Sequence, residues 1–180
     1  MFNKKGYAGT SLSDLTEATG LTKGAIYGNF KNKEALAVEA FKFNVRAIMN
    51  EISIQTNKEK RAIDKLYAIT NYYRGYYDLT KISGGCPILN VGADTKHINP
   101  VLFRLVKSIA RKLEGSIAEI ISKGIKNGEF RNDLDAKKSA RNIYSMMEGS
   151  VFMASTHDNR IYLINMMDHI DEMIRFKMLA

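Results

Sequence analysis

The sequence predicts an all-α protein, with a small helix-turn-helix unit in front and a larger helical domain behind it. Three observations carry that expectation. Apolar residues recur at three- and four-residue intervals along most of the 180-residue chain. No segment of useful length alternates apolar and polar residues as a half-buried strand does. The punctuating residues Gly20, Gly84-Gly85, Pro100 and Gly128 fall at the ends of the periodic segments.

The elements follow in order. Residues 10–36, TSLSDLTEATGLTKGAIYGNFKNKEAL, read as two short helices and the start of a third. Thr10 or Ser11 caps the first, whose apolar positions Leu12, Leu15 and Ala18 share one face. Gly20 stops it, since glycine takes a left-handed C-terminal position without a Cβ penalty. Thr22 caps the second helix, which carries Ala25, Ile26 and Phe30, and Asn32 with Glu34 opens the third. Two helices joined by a three- to four-residue turn containing glycine form a helix-turn-helix, whose second helix enters the DNA major groove. Two such helices cannot bury their inner faces alone. Phe2 reads as the last apolar residue of a supporting helix; either the fold manages with a reduced bundle or, the favoured reading, a further ten to fifteen residues, roughly three to four turns, are expected ahead of it.

The third helix keeps its spacing through Leu36, Phe41, Val45, Ile48 and Ile52 to about Gln55, so the domains divide as 1–46 and 47–180. Residues 59–79 form the next helix, with Ile63, Leu66, Ile69 or Thr70, Tyr73 and Tyr77 on one stripe, ended by Ser83-Gly84-Gly85. Cys86–Ala93 makes one or two turns. Asn99-Pro100 opens a long helix, proline being tolerated at the first helical position. Its core positions are Leu102, Leu105, Val106, Ile109, Leu113, Ile117, Ile120 and Ile121, and Asn127-Gly128 closes it. Residues 135–156 and 160–178 make the final pair.

Composition narrows the function. A 45% apolar fraction is globular, and no run of about 18 apolar residues suggests a membrane span. The single Cys86 excludes an intramolecular disulfide framework, and with no secretory leader ahead of the first motif a cytoplasmic setting is expected. A net charge of +8 suits a polyanion. Residues 1–46 hold seven Lys/Arg against four acids, and Thr22–Lys33 holds Lys23, Lys31 and Lys33 with no carboxylate. His97, His157 and His169 are scattered, and no metal-ligand spacing, phosphate-cradling glycine loop or nucleophile motif occurs. No enzyme activity, metal or cofactor is expected.

Phe2, Gly6-Tyr7, Thr10-Ser11, Gly20-Leu21-Thr22-Lys23-Gly24, Tyr27, Phe30, Lys33-Glu34 and Leu36 together resemble the N-terminal domain of TetR-family transcriptional repressors. Gly124–Asp135, GIKNGEFRNDLD, resembles the turn between two long helices of that family's C-terminal domain. The segment GGCPILNVGAD, residues 84–94, is similar to one in a subset of its regulators. The departure from the pattern is the short first helix. The resemblance implies an N-terminal DNA-binding domain and a C-terminal helical domain for effector binding and dimerisation.

Physical roles can be assigned within the head. Thr10, Ser11 and Thr22 lie at helix N-termini, where unpaired N–H groups and the dipole favour a phosphate. Lys23 reaches guanine or phosphate, and Gly24 and Ala25 permit close approach to the bases. Tyr27 corresponds to the family's phosphate-binding tyrosine. Asn29 can read adenine, Gly28 gives up a contact, and Lys33 pins the DNA backbone.

A palindromic double-stranded operator calls for a homodimer. The resemblance puts its interface on the last two helices, through Ala140, Ile143, Val151, Leu163, Met167, Ile170 and Ile174. It also implies a cavity for a lipophilic or aromatic effector, for which Tyr72, Tyr73, Tyr76, Tyr77, Phe103, Tyr144, Met147 and Phe152 are the candidate lining. The expected function is a ligand-released homodimeric repressor. The alternative is an all-α small-molecule-binding protein, or an electrophile sensor acting through Cys86 at a helix N-terminus, with weak or vestigial DNA binding.

Overall fold

A computed structural model describes residues 1–180. Ten α-helices and one closing π-helical turn make up the chain. They are α1 (Phe2–Lys5), α2 (Leu12–Thr19), α3 (Lys23–Asn29), α4 (Lys33–Lys58), α5 (Ala62–Arg74), α6 (Tyr76–Ser83), α7 (Pro87–Thr95), α8 (Pro100–Lys126), α9 (Ala136–Thr156) and α10 (Ile161–Met173), with the turn at Ile174–Met178. There is no β-strand, only an isolated antiparallel bridge between Phe130 and Leu179. No helix is long and apolar enough to cross a membrane.

Two compact units share these helices: Met1–Ile48 with Ile82–Ile109, and Met49–Lys81 with Ala110–Ala180. Each unit is built from two separate stretches of chain. Within the first unit, hydrogen bonds from Asn3 and Asn90 join residues 80 or more positions apart, a separation with no local signature in the sequence.

In the first unit Ser11 caps α2: its hydroxyl accepts the Asp14 N–H at 3.1 Å, and the Asp14 carboxylate takes the Ser11 N–H at 2.7 Å, a reciprocal capping box. Gly20 ends α2 at φ 67°. The Thr22 hydroxyl accepts the Ala25 N–H to open α3. Leu15, Ile26, Ala37, Phe41 and Val45 form the buried interior of this helical set. An apolar cleft of about 620 Å³ lies against it, lined among others by Phe2, Leu15, Leu21, Ile26, Phe30, Ala40, Phe41 and Phe43. Phe30, a core position in the sequence pattern, is only half-buried at its edge. Helix α1 is a single turn, and Met1, Phe2 and Asn3 contribute to the cleft's lining.

The second unit is more fully packed. Met147 on α9, and Leu163, Met167, Ile170 and Ile174 along α10 and the π turn, are each no more than 1% exposed. Burying side chains of this size is worth about 1.5–3 kcal/mol apiece. A polar strap reinforces the packing of α5 on α10: the Arg74 guanidinium reaches Asp168 at 2.7 Å and Asp171 at 2.6 Å, and the Thr70 hydroxyl donates to Asp171 at 2.7 Å.

Two elements differ from the sequence reading. The helix expected over 59–79 is divided at Gly75, whose N–H turns back to the Tyr72 carbonyl at 3.2 Å, a tightened turn that separates α5 from α6. The last helix does not stay regular to residue 178. It widens at Ile174–Met178, where the Met178 carbonyl takes the Arg131 N–H at 2.9 Å and Ala180 pairs with Glu129. Phe130, 1% exposed, is pinned beneath that closure.

Candidate DNA-binding head and partner faces

Helix α3 shows one residue to the interior. Ile26 is 4% exposed, whereas Lys23, Gly24, Ala25, Tyr27, Gly28 and Asn29 are all exposed. A helix held by one apolar anchor has nearly its whole circumference available to a partner, and its free lysine-bearing end carries positive charge. A Cβ on Gly28 would meet nothing within 4 Å, and one on Gly24 would meet only the Thr22 hydroxyl oxygen at 3.9 Å. The Asn29 amide folds back to donate to the Ala25 carbonyl at 3.0 Å, so reading a base requires it to swing outward. Thr22 is exposed and its hydroxyl is engaged as the cap.

Thr10 corrects the sequence reading. It is fully buried and its hydroxyl donates to the Gly6 carbonyl at 2.6 Å, so it braces the segment ahead of α2 and presents nothing to a phosphate. Ser11 is exposed, but its hydroxyl is shared with Asp14. Asp14 in turn is paired with Lys5 at 2.5 Å. The hydrogen bond from Lys5, followed by those from Ser11, holds the Asp14 carboxyl well below the usual carboxylate range. The negative charge of Asp14 is thereby neutralised next to the helix end that would face a phosphate. Lys33 lies over the Tyr7 ring, its ammonium 4.6 Å from the centroid.

The seven residues expected at a dimer interface are not on the surface. Ala140, Ile143, Val151, Leu163, Met167, Ile170 and Ile174 range from 0 to 4% exposed within one chain, so they have no area left to bury against a partner. The periodic stripe on each helix is the chain's own core. A second stripe lies on the outer side: Asn142, Ser145, Gly149, Phe152 and Thr156 on α9, and Tyr162, Asn165, His169 and Phe176 on α10 and the turn beyond it, are exposed. Phe176 is 73% and Phe152 57% exposed, and a Cβ on Gly149 would meet nothing within 4 Å. Continuing the helical wheel past the first stripe would have found this face.

The residues expected around an effector are dispersed. Tyr73, Tyr76 and Tyr77 are buried, and Tyr72, Tyr73 and Tyr76 form one aromatic cluster with centroids 5.2–5.7 Å apart. The Tyr77 hydroxyl donates to Asp158 at 2.5 Å. Tyr72 lines an open cleft of about 460 Å³ with Gln55, Glu59, Asp64, Tyr67, Ala68 and Asn71. Met147 is core, Tyr144 is half-buried, and Phe103 belongs to the first compact unit while the other seven belong to the second. Phe152 is corrected: at 57% exposure it lines no interior cavity. Cys86 caps α7, as the sequence implied, but is 4% exposed and closed to a reagent from solvent in this conformation. No group of three or more His, Cys, Asp or Glu side chains converges as a metal site.

The sequence missed Asn3, Asn90 and Asp94. These tie the first residues of the chain to α7: the Asp94 carboxylate accepts the N–H groups of Tyr7 and Ala8, and the amides of Asn3 and Asn90 bond to backbone carbonyls across the gap.

Comparison with known proteins fits this architecture from end to end. The family description "Bacterial regulatory proteins, tetR family" matches residues 1–40, and "Tetracyclin repressor-like, C-terminal domain" matches residues 62–170. A TetR transcriptional regulator from Chloroflexus aurantiacus superposes with a TM-score of 0.93 at 33% identity, over 99% of this chain and 91% of that one. One from Cytophaga hutchinsonii gives a TM-score of 0.88 at 34% identity, over 97% and 87%. Among curated relatives, the transcriptional repressor DhaR of Mycobacterium sp. strain GP1 is 22% identical over 89% of this chain and 79% of its own length. With a matching description over more than half its length and an outward-facing α3, the chain belongs to the TetR family of transcriptional regulators.

Proposed function

We propose that the protein is a ligand-released repressor that binds a palindromic operator as a homodimer. The observation that carries this reading is the exposure of every α3 residue except Ile26, in a segment whose only charges are Lys23, Lys31 and Lys33. Lys23, Gly24, Ala25 and Asn29 meet base edges, while Thr22, Tyr27 and Lys33 engage phosphates on either side. Relatives described as repressors, DhaR and the Staphylococcus aureus regulator IcaR, support the direction of control.

The outer stripe of α9 and α10 serves as the twofold contact. Phe152, Tyr162 and Phe176 supply apolar anchors, and Gly149 allows the helices of two copies to approach closely. The effector is a flat, lipophilic molecule recognised by tyrosine rings of the second unit, and it releases DNA by favouring a state in which the two heads are spaced wrongly for the operator.

Selection from random duplexes tests the reading. Enrichment of one inverted repeat, lost in Phe152→Glu with a shift from dimer to monomer in sedimentation, is the expected result. Binding that is purely sequence-independent, or an undiminished dimer in Phe152→Glu, overturns the corresponding half.

A further inference from the structure

We propose that Asn90 and Asp94 of α7 are positioning residues for DNA binding, fixing the start of α2 through the backbone of residues 1–8. The proposal rests on the DNA-binding reading above and names what orients that head. The two side chains are four residues apart, one above the other on the same face of α7. Asp94 accepts the N–H groups of both Tyr7 and Ala8 through one carboxylate oxygen. Asn90 donates to the carbonyls of Asn3 at 2.9 Å and Gly84 at 2.8 Å. Asn3 returns the arrangement by donating to the carbonyls of Ser83 at 2.9 Å and Gly85 at 2.7 Å.

The backbone is shaped to this clasp from both sides. Gly6, Gly84 and Gly85 all have left-handed φ angles, at 75°, 83° and 108°. A Cβ on Gly84 would stand 2.2 Å from Lys4 Cγ and 3.2 Å from its Cα, and one on Gly85 would stand 2.5 Å from the Asn90 amide nitrogen. Side chains at these points would push the two segments apart.

From the clasp, three links lead to the DNA-facing surface. The Gly6 carbonyl takes the Thr10 hydroxyl at 2.6 Å. Lys5 holds Asp14, which closes the Ser11 capping box at the head of α2. Lys33, at the start of α4, rests on the Tyr7 ring. A shift of α7 is therefore passed to the backbone around Tyr7, and with it to the N-terminus of α2 and the ammonium of Lys33. The chain reaches α7 directly from α6, which carries Tyr76 and Tyr77, through Ser83-Gly84-Gly85.

The test compares Asp94→Leu, Asn90→Leu and the conservative Asp94→Asn, which keeps an acceptor oxygen. Binding to the selected operator and to a random duplex is followed by fluorescence anisotropy, and exchange of the Tyr7 and Ala8 amides by NMR. The leucine variants are expected to lose at least tenfold in operator affinity and a clearly smaller factor on the random duplex, whose looser complex tolerates displaced phosphate contacts, with faster exchange at Tyr7 and Ala8 in Asp94→Leu. Asp94→Asn is expected to recover most of the operator affinity. Operator affinity within twofold of wild type in both leucine variants, or equal losses on both duplexes, overturns the positioning role alone. Failure of the wild-type protein to prefer any duplex removes the DNA-binding reading and the proposal with it, whatever the amides show. If Asp94→Leu does not fold, Asn90→Leu and the exchange rates in Asp94→Asn decide between the same outcomes.

Discussion

Helices α3 and α10 solve opposite problems. The seven residues of α3 keep Ile26 alone inside, and an open apolar cleft lies beside it. The thirteen residues of α10, with the turn that follows, seat Leu163, Met167, Ile170 and Ile174 at 1% exposure or less and tie down Asp168 and Asp171 through Arg74. Burial is concentrated in α10 and exposure in α3. One helix is anchored just enough to stay in place and leaves its surface for a partner. The other is spent on the interior, and only its outer edge remains for contact with a second copy.

The sharpest way to break this contrast is a pair of truncations. Met167→Ala is expected to cost about 3–5 kcal/mol in urea unfolding, because its surroundings cannot close over the hole. Ile26→Ala is expected at the low end of the large-to-small range, about 2 kcal/mol, because the neighbouring cleft lets the site relax. An equal or greater loss for Ile26→Ala would end the comparison.

A pair of glycines sharpens it next. A Cβ on Gly124 would lie 2.3 Å from the Phe130 ring and 2.8 Å from the Ala62 Cβ, so Gly124→Ala should destabilise by about 1–3 kcal/mol. Gly28→Ala meets open space and should stabilise α3 by up to about 1 kcal/mol. Opposite signs in thermal unfolding are the expected outcome. Smaller still on stability, the double change Tyr27→Phe with Lys33→Ala should leave unfolding within about 0.5 kcal/mol of wild type. It should weaken binding to all duplexes alike and lower the salt slope by about one.

The smallest effect is acid sensitivity. Asp14 in the head and Asp158 in the second unit both have depressed carboxyl pKa values, Asp14 through Lys5 and then Ser11, Asp158 through the Tyr77 hydroxyl and then Lys81. A carboxyl depressed in the folded state contributes stability above its unfolded value of about 4, and that contribution is lost as pH falls through the folded value. Asp14→Asn and Asp158→Asn should each flatten the acid limb of a stability–pH profile slightly. An unchanged profile in Asp14→Asn would mean that the Lys5 pairing does not hold in solution.

Much of the fold was legible because it is written in local signals. Ser11, Gly20, Thr22, Pro100 and Asp135 mark helix ends where the structure has them, and the α8 stripe named six buried residues, with Leu105 and Ile120 at its edge only half-buried. The stripes on α9 and α10 were misleading about what they face. Periodicity says that a side is buried and is silent on whether the same chain or another copy buries it, so the interior residues Met167 and Ile170 were assigned to a partner and the exposed Phe152 to a cavity. The break at Gly75 was missed because apolar spacing runs on across it. The Asn3–Asn90 pairing had no local signature, since it joins residues 87 positions apart.

The burial of Thr10 has a practical consequence for genetics. In a reporter screen, Thr10→Val would score as an operator-contact mutation, since it removes the hydroxyl that braces Gly6 and loosens everything downstream. Yet that side chain is fully buried in the folded chain. Maps of loss-of-repression alleles on this protein will therefore mix scaffold with surface, and only alleles scored beside cellular protein abundance can pull them apart.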